Sequence, residues 1–233
     1  MSQDAELHND GFAIVEPLLD QKSVDRIRHD VAALAIGEAV KTRQGRIFGA
    51  RNLLSRLPSL VDILKSTPLE NLVRRLMGKQ AKPVRCLFFD KNVSANWSVA
   101  WHQDLTIAVR GKRPVAGFGS WTVKAGIPHV QPPVSILEKM LTLRLHLDMT
   151  DESNGALRVI PGSHRLGRLS PLFIEQLTRT KPARACTVQT GGALFIKPLL
   201  LHSSLSSRAP SHRRVVAVEF SADDLPGGLE WFG

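Results

Sequence analysis

The sequence predicts a mainly β body preceded by helices, and three observations lead there. From Pro83 onward the apolar residues come in strand-length runs: VRCLFFDKN, SVAWHQD, LTLRLHLDM, ALRVI, CTVQ, ALFIKPLLLH and RRVVAVEF. Clusters of turn-forming residues (SNG, PGSH, TGG, SRAPSH) separate these runs. Before Pro83, apolar residues recur instead at helical steps of three and four. Many short strands joined by Gly/Pro turns make a sandwich or a barrel. At 233 residues the chain suits one domain, with a mostly helical part over residues 1–80 and a β core over 81–222.

In chain order, DGFAIVEPLL (residues 10–19) reads as a short strand ending at Pro17. DQKSVDRIRHDVAAL then turns helical, with Val24, Ile27, Val31 and Leu34 on one face and Asp20 or Ser23 as cap. LPSLVDILKSTPLENLVRRLMG reads as two short helices broken at Pro68, the second closed by Gly78. Residues 110–135, RGKRPVAGFGSWTVKAGIPHVQPPVS, read as a long Gly/Pro-rich loop. A loop of that length in a compact domain is either functional, as a lid or binding loop, or disordered.

Cys86 and Cys186 lie far apart without CxxC spacing, which argues against a disulfide framework or a zinc knuckle and makes the cytoplasm the expected compartment. The start, MSQDAELHNDGF, is polar and acidic and no signal peptide. No apolar run is long enough for a membrane span, so a soluble protein is expected. The net charge of +10 is scattered in RQGR, RNLLSR, RGKR, HRLGR and HRR rather than blocked. With no nucleic-acid-binding signature, no nucleic-acid partner is expected. Solvated faces account for most of this charge, and an anionic small molecule comes next.

Three His-x-Asp pairs stand out: His8 and Asp10, His102 and Asp104, His146 and Asp148. One such pair alone carries little information. Their interest is chemical: two histidines and one carboxylate on one face of Fe(II) leave open positions for a bidentate 2-oxo acid and dioxygen. That chemistry needs a distal histidine and a cation for the far carboxylate. His202 follows an apolar run, and Arg213 comes eleven residues later. On the last strand Arg213, Val215, Ala217 and Glu219 share one face, and Arg214, Val216, Val218 and Phe220 the other. A guanidinium binds a carboxylate bidentately, although in isolation Arg213 reads as an ordinary surface charge.

The stretches DGFAIVEPLLDQKSV, LFFDKN, WHQD, DESNGALRVIPGSHRLG, TGGALF and LLLHSSLSSRAPSHRR occur in an order that resembles the phytanoyl-CoA dioxygenase family of Fe(II)/2-oxoglutarate oxygenases. The resemblance runs over residues 10–220. It implies a double-stranded β-helix, a jelly-roll or cupin-like body, with residues 110–135 as a lid-like loop of a single dioxygenase domain over 1–233. It places the metal-binding pair before that loop, at His102 and Asp104, with His202 as third ligand. His146 and Asp148 then belong to a core-lining strand, and His8 and Asp10 to a solvated segment.

Further roles follow, those of Ser204, Arg213 and Lys91 from the same resemblance and the others from the residues themselves. Ser204 and Arg213 match positions that hold the 2-oxoglutarate carboxylate, and Lys91 matches a cosubstrate contact or else a solvated strand end. Arg144 and His146 line the cavity, for cosubstrate or an acidic substrate, or form a hydrogen-bonded structural pair. Trp101 and the loop residue His129 are substrate-side candidates, and Gln103 a supporting residue behind the ligands. The turn glycines Gly191 and Gly192 serve backbone needs. The cofactors implied are Fe(II), 2-oxoglutarate as cosubstrate and O2. Asp104 favours hydroxylation, because halogenating relatives have a small residue at that position. The expected reaction is hydroxylation of an unactivated C–H in a small molecule, an anionic one being favoured, with succinate and CO2 as co-products. Two rivals remain open: a cupin-like metal-dependent isomerase or hydrolase without 2-oxoglutarate, and a catalytically silent binding module.

Overall fold

The computed structural model describes residues 2–233. The first third runs α1 (Gln3–Asn9), β1 (Phe12–Val15), α2 (Gln21–Ala32), β2 (Val40–Arg43), β3 (Arg46–Arg51), α3 (Pro58–Leu64) and α4 (Thr67–Met77). Next come β4 (Lys82–Lys91), β5 (Val99–His102), β6 (Ile107–Ala108), β7 (Gly119–Lys124), β8 (Ile127–Gln131), α5 (Val134–Glu138) and β9 (Met140–His146). The chain closes with β10 (Leu157–Val159), α6 (Pro171–Thr180), β11 (Arg184–Cys186), β12 (Ala193–Ile196), β13 (His202–Ser204) and β14 (Arg213–Ser221). No helix is long and apolar enough to cross a membrane among the described residues.

The start of α2 and the end of α4 fall where their caps predict. The Asp20 carboxylate accepts the Ser23 amide at 2.8 Å and starts α2. Gly78, at φ +94°, ends α4.

The strands form a seven-stranded sheet in the order β1-β12-β9-β14-β4-β3-β2 and a four-stranded sheet in the order β11-β10-β13-β5. All pairs in both are antiparallel. Together they make the double-stranded β-helix. Alternation along each strand of the larger sheet sets two different faces. Cys86, Phe88, Leu141, Leu143, Leu145, Val216 and Val218 face outward and bury against Val24, Ile27, Val31, Leu60 and Leu69 of the helices. Each such side chain contributes roughly 1.5–3 kcal/mol on full burial. The other face turns Leu87, Phe89, Lys91, Arg144, His146, Arg213 and Val215 toward the four-stranded sheet. This inner face positions the site.

Two expectations need correction. Residues 1–80 are not mostly helical: they contribute three strands, two of which extend the larger sheet past β4. The reason is the turn at Gln44 and Gly45, both at positive φ, which folds β2 onto β3 as a tight hairpin. Residues 110–135 are not an irregular loop. They form the β7–β8 hairpin, turning at Ala125 and Gly126, and pair with β6 as a third sheet. The last strand, β14, ends at Ser221, and beyond it Leu225, Leu229 and Trp231 pack with Ile107, Val109 and Val130. The helix α6 lies in a stretch for which no element was expected. Its signals are Ser170, which accepts the Phe173 amide, and Pro171 in the first turn.

Candidate active site

His102 on β5 and His202 on β13 are direct partners across the ladder, with ring centroids 4.2 Å apart. Each Nδ1 lies 2.8 Å from the carbonyl oxygen two residues earlier, Ala100 and Leu200 respectively. A ring nitrogen that faces a carbonyl carries the proton, so both Nε2 atoms present lone pairs. Asp104 leaves β5 with its amide donating to the Pro198 carbonyl at 2.9 Å. Its two oxygens come within 3.9 Å of His102 Nε2 and 3.8 Å of His202 Nε2. The three donors all lie within 4.8 Å of one another, the one cluster of this kind among the described residues.

Burial pushes the His202 pKa down to about 4, with the Asp104 charge opposing. Burial works against the Asp104 carboxylate, but His202 and His102 outweigh it and hold its pKa below the usual range. Two imidazole nitrogens and one carboxylate are the donor set that suits Fe(II) with open positions. The residues present fit that ion.

Deeper along the inner face, Lys91 and Arg213 are cross-strand partners. Lys91 Nζ donates to Ser204 Oγ at 3.0 Å and to the Leu205 carbonyl. The Asp90 carboxylate accepts the Arg213 amide at 3.1 Å and fixes the start of β14. Arg213 Nε and Arg144 Nε are buried without a partner, and Arg144 stands 5.9 Å from the Phe89 ring. Burial, then the charges of Arg213 and Arg144, lower the Lys91 pKa to about 7. Burial and Arg144 lower Arg213 to about 10. Cations gathered in this way favour an anionic ligand among them. Gly155 permits the cluster: at φ +82°, any Cβ would strike the Leu205 carbonyl and crowd Lys91 Nζ.

His146 shares this face, buried, with Nδ1 2.8 Å from Thr150 Oγ1 and Nε2 unpartnered. Burial and then Arg144 and Arg213 drive its pKa well below the ordinary value, so it stays neutral. Asp148 does something else: it accepts Arg214 Nε at 2.8 Å and Nη2 at 2.7 Å, and Arg28 Nη2 at 2.9 Å. That pairing ties α2 to the ends of β9 and β14 and accounts for Arg214.

Two substrate-side expectations change. Trp101 is not in the cavity, because alternation on β5 turns it outward when His102 turns inward. It packs with Ile160, Leu169 and Leu201 under the Arg158 guanidinium. His129 is not in a loop but buried on β8, with Nδ1 on the Ile127 carbonyl at 2.9 Å and Nε2 unpartnered. Gln103 supports the site from behind, donating to the Leu199 and Gly167 carbonyls at 2.7 and 2.8 Å and accepting the Leu169 amide. His8 lies exposed in the last turn of α1, outside the cluster of His102, Asp104 and His202. The sequence reading missed the Arg85–Glu219 pair, bonded at 2.9 Å on the same inner face. It also missed Arg51 and Lys124 near it. Glu219 was placed on the Arg213 face by alternation, so its partner was findable; Arg51 and Lys124 sit in hairpins that carried no strand signal.

The chain matches the family model described as Phytanoyl-CoA dioxygenase (PhyH) over residues 7–215. It is 22% identical over 246 residues to an ectoine dioxygenase of Nocardia farcinica (strain IFM 10152), covering 91% of this chain and 74% of that one. Among solved structures, EctD from S. alaskensis with 2-oxoglutarate and 5-hydroxyectoine superposes with a TM-score of 0.71 at 18% identity, over 94% of this chain and 74% of that one. AviO1 from Streptomyces viridochromogenes Tue57 gives 0.67 at 19% identity, over 97% and 94%.

Proposed function

The chain belongs to the phytanoyl-CoA dioxygenase family of Fe(II)/2-oxoglutarate-dependent oxygenases, and from that premise we propose that it hydroxylates an unactivated C–H of a small molecule. His102, Asp104 and His202 hold the iron. Arg213, Lys91 and Ser204 hold the far carboxylate of 2-oxoglutarate, with Arg144 and His146 along its path. The whole chain acts as one catalytic domain.

The observation that carries this reading is the pairing of the two sites on facing strands. The two free Nε2 atoms and the Asp104 carboxylate stand at one end of β5 and β13. Lys91, Arg144 and Arg213, none of them in an ion pair among the described residues, stand farther along the same inner face. When bound, Fe(II) would bring together 2-oxoglutarate and O2, with O2 as the oxidant: one of its oxygen atoms goes into succinate as CO2 leaves, and the other into the hydroxylated product. The protein's own part is orientation and protection. The Ala100 and Leu200 carbonyls fix both imidazole rings, and Gln103 braces the strand between the ligands. Ser204 and the Leu205 carbonyl aim Lys91. The ectoine dioxygenase relative supports a small-molecule substrate.

A metal-dependent isomerase or hydrolase would use the same ligands but would have no need of Lys91, Arg144 and Arg213 together. A silent binding module would have no need of an intact donor set. The test is a screen for substrate-stimulated, Fe(II)-dependent conversion of 2-oxoglutarate to succinate, across carboxylates, amino acids and acyl thioesters. Stimulation by one class is expected. Failure of any iron-dependent turnover would count against the reading.

A further inference from the structure

A pocket of about 440 Å³ opens where the larger sheet extends beyond the barrel. Cross-strand pairing puts Lys41 opposite Gly49, Gly49 opposite Phe89, and Arg51 opposite Leu87, all on one face. It is the inner face of β4, so the pocket is continuous with the metal-facing side of the barrel. The tip of the β7–β8 hairpin covers it with Lys124, and Trp97, stacked edge-on against Phe48 at 5.9 Å, closes one side. Lys124 also reaches Thr106 Oγ1 at 3.4 Å, two residues beyond the metal-site Asp104.

The charges in this pocket do not balance. Lys41, Arg51 and Lys124 face one acid, Glu38. Among the described residues none of these three cations forms an ion pair. The nearby Glu219 is already bonded to Arg85. Burial, then Arg85 and Arg51, lower the Lys124 pKa, while Asp104 and Glu219 oppose. Burial, then Arg85, lowers Arg51. His129 Nε2, buried and unpartnered, lies close enough to feel the same Arg85, Lys124 and Arg51 charges. Unpaired cations in a half-buried cavity are costly unless an anion joins them. The remaining walls, Leu87, Phe89 and Trp97, are apolar or aromatic.

We propose that this pocket takes the substrate, and that the substrate is an organic anion with an apolar body. Its carboxylate or phosphate group lies between Arg51 and Lys124, and its body runs along Leu87, Phe89 and Trp97 toward the metal site. Only the word substrate rests on the oxygenase reading; the anion site stands on its own geometry.

The test uses the full-length protein without metal or 2-oxoglutarate. Calorimetry and ligand-observed NMR measure binding of matched probes that share an aryl-alkyl body and end in a carboxylate, a phosphonate, a primary amide or an amine. One or both anions should bind at least about tenfold tighter than the amide or amine, and the better of the two identifies the group. Arg51→Gln combined with Lys124→Gln should abolish that preference, and Arg51→Lys combined with Lys124→Arg should keep most of it. Equal binding of all four probes, or no binding at millimolar concentration, overturns the proposal. So does a preference that survives the double Gln variant, since the anion then sits at Lys91 and Arg213. Iron-dependent turnover of 2-oxoglutarate, measured separately, reports on the oxygenase reading, so either claim can fail without the other.

Discussion

His102 and His202 face each other across the β5–β13 ladder, and each donates its Nδ1–H to the carbonyl two residues before it. The two rings thereby turn the same nitrogen, Nε2, toward Asp104. The arrangement separates this His-x-Asp pair from its look-alike on β9. There, His146 places its Nδ1 against the Thr150 hydroxyl, and Asp148 is consumed by Arg214 and Arg28.

The distinction predicts opposite outcomes for two substitutions. After anaerobic reconstitution, His102→Ala is expected to lose most of its iron, and His146→Ala to keep it, as read by metal analysis of the desalted protein. The reverse result would move the metal to β9.

Arg213 and Arg214 are neighbours with different work. Arg213→Ala should weaken 2-oxoglutarate binding by at least about tenfold, the loss of a charge-assisted pair. Arg214→Ala should leave that affinity nearly unchanged but lower stability by about 1–3 kcal/mol, because Asp148 loses a two-point partner. Denaturant unfolding and equilibrium binding separate the two; equal effects on binding would remove the assignment of Arg213.

Lys91 titrates near neutrality, because burial and then Arg213 and Arg144 lower its pKa to about 7. Below that pH it is charged and favours the dianion; above it the charge is lost. Affinity for 2-oxoglutarate should therefore fall as pH rises past 7, by no more than about tenfold per pH unit. In the ligand-free protein the sign for stability is opposite. The folded state binds fewer protons than the unfolded one between about 7 and the ordinary lysine value, so stability rises with pH there. Lys91→Arg should flatten the binding profile. A wild-type affinity independent of pH would remove Lys91 from the cosubstrate site.

Gly155 tests how the hairpin shapes that site. Gly155→Ala forces a Cβ into the Leu205 carbonyl at a positive φ and should cost about 1–3 kcal/mol of stability. It should weaken 2-oxoglutarate binding as well, through displacement of Lys91. An unaffected affinity in a folded variant would show that the Leu205 contact does not position the lysine.

Much of this was legible in the sequence. The inner-face set Arg213, Val215, Ala217 and Glu219 follows from period-two alternation alone, and the order of motifs separates His102 from His146. What escaped notice depends on tertiary placement. Trp101 lies beside a ligand in sequence, yet the pleat sends it to the opposite face. His129 sits among Gly and Pro, so its strand had no apolar periodicity to announce it. Arg51 and Lys124 come from hairpins whose turns, at Gln44–Gly45 and Ala125–Gly126, are each marked by a single glycine. Nothing local in those stretches says that the two hairpins converge over β4.

The most direct test of the metal and cosubstrate assignment is an anaerobic titration. Protein carrying one equivalent of Fe(II) is mixed with 2-oxoglutarate and followed by visible absorption. A weak charge-transfer band that saturates with 2-oxoglutarate, and that needs far more of it in Arg213→Ala, is the predicted result. A sample with confirmed iron and no band at any 2-oxoglutarate concentration would contradict the account.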